Sequence, residues 1–191
     1  MNEVWRFKIP SLINYPIVIN KTRLKIVGIL VFIVLTGLGA FVRIPLFFTP
    51  VPITLQTFFV LLSGACLGRK FGFFSQAGYV ALGAAGVPIF AGASAGIGCL
   101  LGPTGGYLFG FAIASFLIGT FLDKDRNFIQ IAGVFLIGSM LIDIFGSLFL
   151  MGVLRVSIDK AFLMGFLPFI GGDIAKSILA AVIYNRLKYK F

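Results

Sequence analysis

Residues Thr54–Ala85 read TLQTFFVLLSGACLGRKFGFFSQAGYVALGAA, two apolar runs separated by the short basic stretch Gly68-Arg69-Lys70. As one uninterrupted helix these residues would be far too long for a bilayer whose hydrocarbon core is about 30 Å thick. A basic turn between two apolar runs is typical of a helical hairpin. We therefore predict two membrane-spanning helices here, Thr54–Leu67 and Phe71–Ala85.

The rest of the chain has the same apolar character. Of its 191 residues, 59% are hydrophobic and 12% charged, whereas about a quarter of a soluble domain is charged. A water-soluble fold of this size could not bury that much apolar surface, so we predict an integral membrane protein. Four further apolar runs complete an all-α domain of six transmembrane helices over residues 24–191: Leu24–Val42, Gly105–Leu122, Phe128–Val153 and Ala161–Leu187. Residues 1–23 form a basic N-terminal segment.

The charge distribution predicts the orientation. The chain has 16 Lys and Arg against 6 Asp and Glu, and basic residues gather on cytoplasmic loops, which explains the excess without nucleic acid. With both termini cytoplasmic, 12 basic residues lie inside and 3 outside. The inside set is Arg6, Lys8, Lys21, Arg23, Lys25, Arg69, Lys70, Lys124, Arg126, Arg186, Lys188 and Lys190, and the outside set is Arg43, Arg155 and Lys160. We expect a multi-pass protein of the cell membrane.

Several chemistries are absent from the sequence. There is no His, and the two Cys lack the spacing of a metal site. We therefore expect no metal, no cofactor and no catalytic residue, and not an enzyme. There is no phosphate-binding loop, and the loops leave no room for an extramembrane domain. An energy-coupling ATPase must therefore lie on another chain.

An uncharged, Gly-rich stretch covers residues 86–103. A solvated loop of this length is normally polar, so we interpret it as an extracellular lid over the bundle, the alternative being a connector that packs at the interface. Thr104 follows at the start of the fourth helix, where it can cap the helix or help to bind an anionic group. The spacing of Gly102, Gly106 and Gly110 indicates a small-residue face that packs closely on another helix.

The strongest polar signal is Gly171-Gly172-Asp173 with Lys176. Asp173 and Lys176 are three residues apart, so they share a helix face and can pair. Ionisable groups at membrane depth are expensive, which makes them candidates for a functional site, with a structural ion pair as the alternative. Asp143 is a third buried acid, for which we favour a structural role opposite Lys176 or Arg43.

Further polar groups lie in the outer half of the predicted bundle. They are Gln56 and Thr57 at the start of the second helix, with Tyr79 and Tyr107. The inner half of the bundle has almost no polar groups, whereas a channel needs a continuous path across the membrane. We therefore predict a capped pocket that opens to the outside.

Four motifs, in order, resemble the BioY family of biotin-binding S components of energy-coupling factor transporters. They are PVPITLQT at 50–57, GAAGVPIFAG at 83–92, GPTGGYL at 102–108, and GGD at 171–173 with Lys176. The resemblance implies six helices and a biotin site near the extracellular face. It also implies partners: one transmembrane coupling protein and two ATPases.

The resemblance also implies roles for residues. Asp173 would accept the ureido N–H groups of biotin, and Lys176 would meet either the ureido carbonyl or the carboxylate. The remaining implied ligand-binding residues are Gln56, Tyr79, Phe90, Leu55, Tyr107 and Thr104. The lid of relatives often carries a basic residue, but residues 92–96 of this chain read GASAG. Relatives contact the coupling protein through an Ala-x-x-x-Ala face on the first helix, whose counterparts here are Ile33 with Gly37, or Thr36 with Ala40.

Two other classes of function remain open. A self-sufficient vitamin carrier, coupled to protons through Asp143 or Asp173, is the main alternative. An intramembrane enzyme acting on a lipid fits poorly, because the chain offers no nucleophile with a base and no cluster of acids.

Overall fold

The computed structural model describes residues 4–6, 18–122 and 126–188, with side chains from residue 22 onward. The predicted segment 1–23 therefore lies largely outside the described side chains. The described helices are α1 Lys21–Phe41, α2 Gln56–Ala84, α3 Ile97–Leu101, α4 Gly105–Phe121, α5 Phe128–Leu154, α6 Ile158–Gly165 and α7 Ile170–Leu187. Two short antiparallel pairs accompany them, β1 Val4–Arg6 with β2 Val18–Asn20, and β3 Arg43–Ile44 with β4 Ile53–Thr54.

Helix α2 folds back on itself at Gly68. The backbone of Gly68 has φ 78° and ψ 175°, a conformation that glycine adopts without steric cost. In a continuous helix, Gly64 and Gly72 would be about 12 Å apart, yet a Cβ at Gly72 would lie 2.9 Å from the Gly64 Cα. Across the same fold, Gln76 Nε2 donates to Ser63 Oγ at 3.0 Å. The two halves of α2 are thus antiparallel, with the break inside the predicted basic turn.

Three of the described helices are long and apolar enough to cross a membrane: Thr22–Phe41 within α1, α2, and α5. α6 and α7 meet at a bend of 47°, and together they make a fourth candidate membrane span if the bent pair is counted as one. α4 is a shorter apolar helix. The single predicted helix Ala161–Leu187 is therefore wrong in its continuity. Pro168 lies in the break, where its ring fixes φ and it has no N–H to donate.

The bundle has two hydrophobic clusters with a polar layer between α1, α2 and α4. The cluster around Tyr79, Tyr107 and Phe111 includes the 86–104 connection, and the other surrounds Leu61, Ile118 and Phe135. The polar layer consists of Thr36, Ser63, Gln76 and Ser115, all fully buried. Its shortest contact joins the Ser63 and Ser115 hydroxyls at 2.9 Å. Because these groups satisfy one another, the three helices are held in one register.

Basic residues converge on one end of the bundle. Lys25 Nζ lies 5.1 Å from the centre of the Phe71 ring, so the start of α1 meets the α2 turn. Lys188 Nζ donates to the Arg126 carbonyl at 2.7 Å, which joins the end of α7 to the start of α5. The β3–β4 pair and residues 86–104 follow helices that run away from this end.

The structure corrects the expectation for the first helix. Thr36 and Ala40 are 0% exposed, and Gly37 is buried as well. A Cβ at Gly37 would lie 3.5 Å from the Ile89 Cβ. These small residues let α2 and the 86–104 connection approach α1 closely, so they face the interior and not a partner protein. The outward face of α1 carries Val27, Leu30, Val31, Val34 and Leu38.

Candidate functional site

A cavity lies at the end of the bundle away from the basic cluster. Its wall comes from seven parts of the fold and from Phe169, just before α7. The seven parts are the β3–β4 connection, β4, α2, the 86–104 connection, α4, α5 and α7. It encloses about 50 Å³ of free space, room for about three to five water molecules. Six of the eight predicted ligand-binding residues line it: Gln56, Phe90, Thr104, Tyr107, Asp173 and Lys176.

The predicted pair on α7 is confirmed. Lys176 Nζ lies 2.8 Å from Asp173 Oδ1, and it also donates to the Thr54 carbonyl at 3.4 Å. Asp173 is 2% exposed, and its Oδ2 has no hydrogen-bond partner among the described residues. Because a buried carboxylate oxygen is costly to leave without a donor, this atom is a ready acceptor for a ligand N–H.

Asp143 lines the same cavity, although its sequence context favours a structural role. It is 5% exposed, it lies close to Asp173 and Lys176, and its Oδ2 accepts no hydrogen bond from a donor among the described residues. The expected neighbour Lys176 is therefore present, but a second acid lies there as well. The cavity thus holds two carboxyl groups and one ammonium group. The signal that could have found Asp143 was its location at membrane depth, which marks any acid as a site candidate.

Tyr79 supports the cavity without lining it. Its ring is fully buried, and its hydroxyl donates to the Ile89 carbonyl at 2.8 Å while accepting from Gln56 Nε2. Tyr79 is not among the residues that line the cavity, and its hydroxyl already makes two hydrogen bonds inside the protein; direct contact with a ligand stays a prediction. Tyr79 orients the Gln56 amide and fastens the 86–104 connection to α2.

Leu55 also lies outside the cavity wall. It precedes α2 and packs against the other cluster, beside Phe58. Neighbouring residues at a helix start point about 100° apart, so Gln56 reaches the cavity and Leu55 does not.

Aromatic rings form the apolar wall. Phe90 is 2% exposed, and its ring fills a notch at Gly83, where any Cβ would collide with it. Tyr107 meets Phe169 edge to face at 5.9 Å, and its hydroxyl donates to the Gly165 carbonyl at 2.6 Å. Wall residues such as Phe111, Ile142 and Phe169 carry no signal in the sequence, because nothing distinguishes them from other apolar residues of a membrane helix.

The start of α4 is shaped by close packing. A Cβ at Gly106 would collide with Phe149, and one at Gly110 would lie 3.1 Å from the Ile142 Cα. The predicted small-residue face is thus confirmed for these two glycines, which face α5. Thr104 occupies the N-cap position, but its side chain makes no capping hydrogen bond, so its hydroxyl stays a candidate for ligand contact.

The fold and the cavity define a multi-pass helical membrane protein whose cavity combines a buried ion pair with apolar walls. Residues 15–191 match the BioY family. The chain belongs to this family, which consists of transporter components and not of enzymes.

Individual relatives agree with this assignment. The chain is 44% identical over 160 residues to a probable biotin transporter BioY of Pyrococcus horikoshii, covering 82% of this chain and 91% of the relative. It is 43% identical over 158 residues to the biotin transporter BioY of Thermotoga maritima, covering 83% and 92%. It superimposes with a TM-score of 0.83 on a crystal structure of the S-component for biotin from an ECF-type ABC transporter. That match has 30% sequence identity and covers 94% of this chain and 95% of the other.

Proposed function

We propose that this chain is the substrate-binding subunit of an energy-coupling factor transporter and captures biotin from outside the cell. The observation that carries the proposal is the buried Asp173–Lys176 pair, whose free carboxylate oxygen borders an otherwise largely apolar cavity. The names of the relatives and of the matching structure support the choice of biotin.

The chemistry of biotin matches the groups of this cavity. Its ureido ring has two N–H donors and a carbonyl acceptor, and its sulfur ring is apolar. Asp173 Oδ2 would accept a ureido N–H, and Lys176 would donate to the ureido carbonyl or to the carboxylate. Phe90 and Tyr107 would pack against the sulfur ring, with Gln56 at the polar edge.

Residues 86–103 would act as a lid. Phe90 and Ala91 of this connection line the cavity, so the connection forms part of the wall that a ligand would meet. Phe90 fills the notch at Gly83 and belongs to this connection. Its withdrawal with the lid would enlarge the cavity towards the outside.

We propose six membrane crossings with both termini in the cytoplasm of a bacterial cell. The fold-back of α2 supplies two of the crossings, and α6 with α7 supplies one. The convergence of Lys25, Arg126 and Lys188 on one end agrees with the cytoplasmic side. The cavity then opens outwards. A coupling protein and two ATPases would drive import, and their co-purification with this chain tests that part of the proposal.

Titration calorimetry on the purified chain in detergent tests biotin capture directly. We expect tight, one-to-one binding of biotin, weaker binding of dethiobiotin, and none of thiamine or riboflavin. Asp173→Asn and Lys176→Ala should each weaken binding by at least about tenfold, since each removes a charge-assisted hydrogen bond. Lys160→Ala, an exposed lysine of α6 outside the cavity, serves as the matched control. A folded wild-type chain that does not bind biotin would refute the proposal.

A self-sufficient, proton-coupled carrier is the second candidate, favoured by Asp143. This buried carboxyl group has a free oxygen in the cavity and a second acid beside it. Proteoliposomes that contain this chain alone separate the two functions. Biotin uptake driven by a pH gradient, and lost in Asp143→Asn, would favour the carrier, whereas binding without uptake would favour the subunit.

A further inference from the structure

The cavity offers no free cation to an anionic ligand group. Lys176 is the one basic residue among the lining residues that the structure describes, and Asp173 already pairs with it at 2.8 Å. Asp143 adds a second carboxyl group. A carboxylate brought into this cavity would therefore find that its one described cation is already paired with Asp173. Biotin ends in a carboxylate on a flexible four-methylene chain, which can extend from the cavity towards a cation outside it.

Arg43 lies beside the mouth of the cavity. It is the cross-strand partner of Thr54, a cavity residue, in the β3–β4 pair. Directly opposed residues of an antiparallel pair project from the same face, with Cβ atoms about 5 Å apart. The Arg43 side chain therefore leaves the ribbon on the same face as that of Thr54.

The guanidinium of Arg43 lies against the proposed lid. A Cβ at Gly92 would collide with Arg43 Nη1 and lie 3.1 Å from Cζ. Gly92 directly follows Ala91, which lines the cavity. The absence of a side chain at position 92 thus lets a cation from the β3–β4 pair contact the lid at the cavity edge, although the lid itself carries no charge.

Arg43 is exposed and has no carboxylate partner within the described part of the chain. The sequence offers Lys176 or Arg43 as the neighbour of Asp143, and Lys176 is the one of the two that lines the cavity with it. Arg43 also lies on the side of the membrane that holds few basic residues, where the orientation rule does not account for it. Its five N–H donors are available to a ligand.

We propose that Arg43 binds the carboxylate of biotin at the cavity mouth and makes the site specific for the free acid. The inference rests on the proposed function and adds a residue that the sequence motifs do not include. A guanidinium can bind both carboxylate oxygens at once. Lys176 is then left to the ureido carbonyl. Because Arg43 also contacts Gly92, a bound carboxylate would hold the lid against the β3–β4 pair.

Biotin and biotinamide, in which a neutral amide replaces the carboxylate, provide the test. Titration calorimetry on the wild-type chain should show biotin binding at least about tenfold more tightly than biotinamide, the gain expected for a charge-assisted hydrogen bond. Arg43→Gln should remove this preference by weakening biotin alone, and Arg43→Lys should retain part of it. Arg155→Gln, which removes an exposed arginine at the end of α5, should keep the wild-type ratio.

The outcomes separate the two proposals. If biotin and biotinamide bind the wild-type chain equally, the role of Arg43 is refuted while biotin capture stands, and no variant is needed for that result. If Arg43→Gln weakens both ligands by the same factor, Arg43 supports the fold of the mouth and does not bind the carboxylate. If the wild-type chain binds neither ligand, the proposed function is refuted, and the role of Arg43 with it.

Discussion

Replacing Lys176 with Met should destabilise the bundle far more than the loss of one exposed charge would. Asp173 is 2% exposed, and Lys176 is its ion-pair partner at 2.8 Å. Without the ammonium group, Asp173 is left buried beside another acid, Asp143. Removing one partner of a buried ion pair costs about 3–5 kcal/mol. For a chain of this size, that corresponds to a fall in the melting temperature of about 6–20 °C.

A second substitution tests the reason for this loss. In the double variant Lys176→Met with Asp173→Asn, the uncompensated charge is gone and the shape of the site is nearly kept. We expect its stability to return to within about 1 kcal/mol of the wild type, because a neutral amide is far cheaper to bury than a carboxylate. Both variants should bind biotin at least about tenfold more weakly than the wild type, because each lacks a charge-assisted hydrogen bond to the ligand.

Heating the detergent-purified variants and measuring the monodisperse fraction by size-exclusion chromatography gives the melting temperatures. Lys160→Met is the matched control, since Lys160 is exposed and its loss should change stability by less than about 0.5 kcal/mol. The reasoning is refuted if Lys176→Met has the same melting temperature as the wild type. It is also refuted if the double variant is no more stable than Lys176→Met.

Three further substitutions test other parts of the structure. Gly106→Ala should lower the stability of the fold by about 1–3 kcal/mol in the same heating assay, because its Cβ collides with α5. Gly133→Ala is the control: position 133 has open space around it, so this change should be neutral or stabilising. Equal losses of stability in the two variants would contradict the packing of α4 on α5. Gln76→Leu should cost about 1–3 kcal/mol by leaving buried hydroxyls unpaired, and an unchanged melting temperature would show that the polar layer contributes little. Tyr79→Phe should weaken biotin binding about three- to tenfold in calorimetry by freeing the Gln56 amide, and wild-type affinity would contradict its positioning role.

Charge and spacing predicted the parts of the site that lie on one helix. Asp173 and Lys176 pair as their three-residue spacing requires, and the break in α2 falls in the basic turn. Such features depend only on local geometry, so the sequence contains them. Gly106 and Gly110 face α5 for the same reason, since glycines four apart share a helix face.

The parts that the sequence could not predict depend on how each helix is rotated about its axis. Leu55 and Gln56 lie at the same depth, yet only Gln56 reaches the cavity. Thr36 and Ala40 are small enough for a partner contact, but the α2 hairpin occupies that face of α1. In a membrane helix almost every face is apolar, so periodicity does not distinguish a lipid-facing side from a buried one.

The fit of Phe90 into the notch at Gly83 links two positions on either side of the turn that ends α2. Any side chain at position 83 would require a smaller residue at position 90, and a smaller residue at position 90 would leave a hole in the wall of the cavity. A substitution at only one of the two positions therefore damages the site. Among descendants of this chain we expect the two positions to vary together, so a paired change at 83 and 90 would mark a lineage whose ligand differs in size.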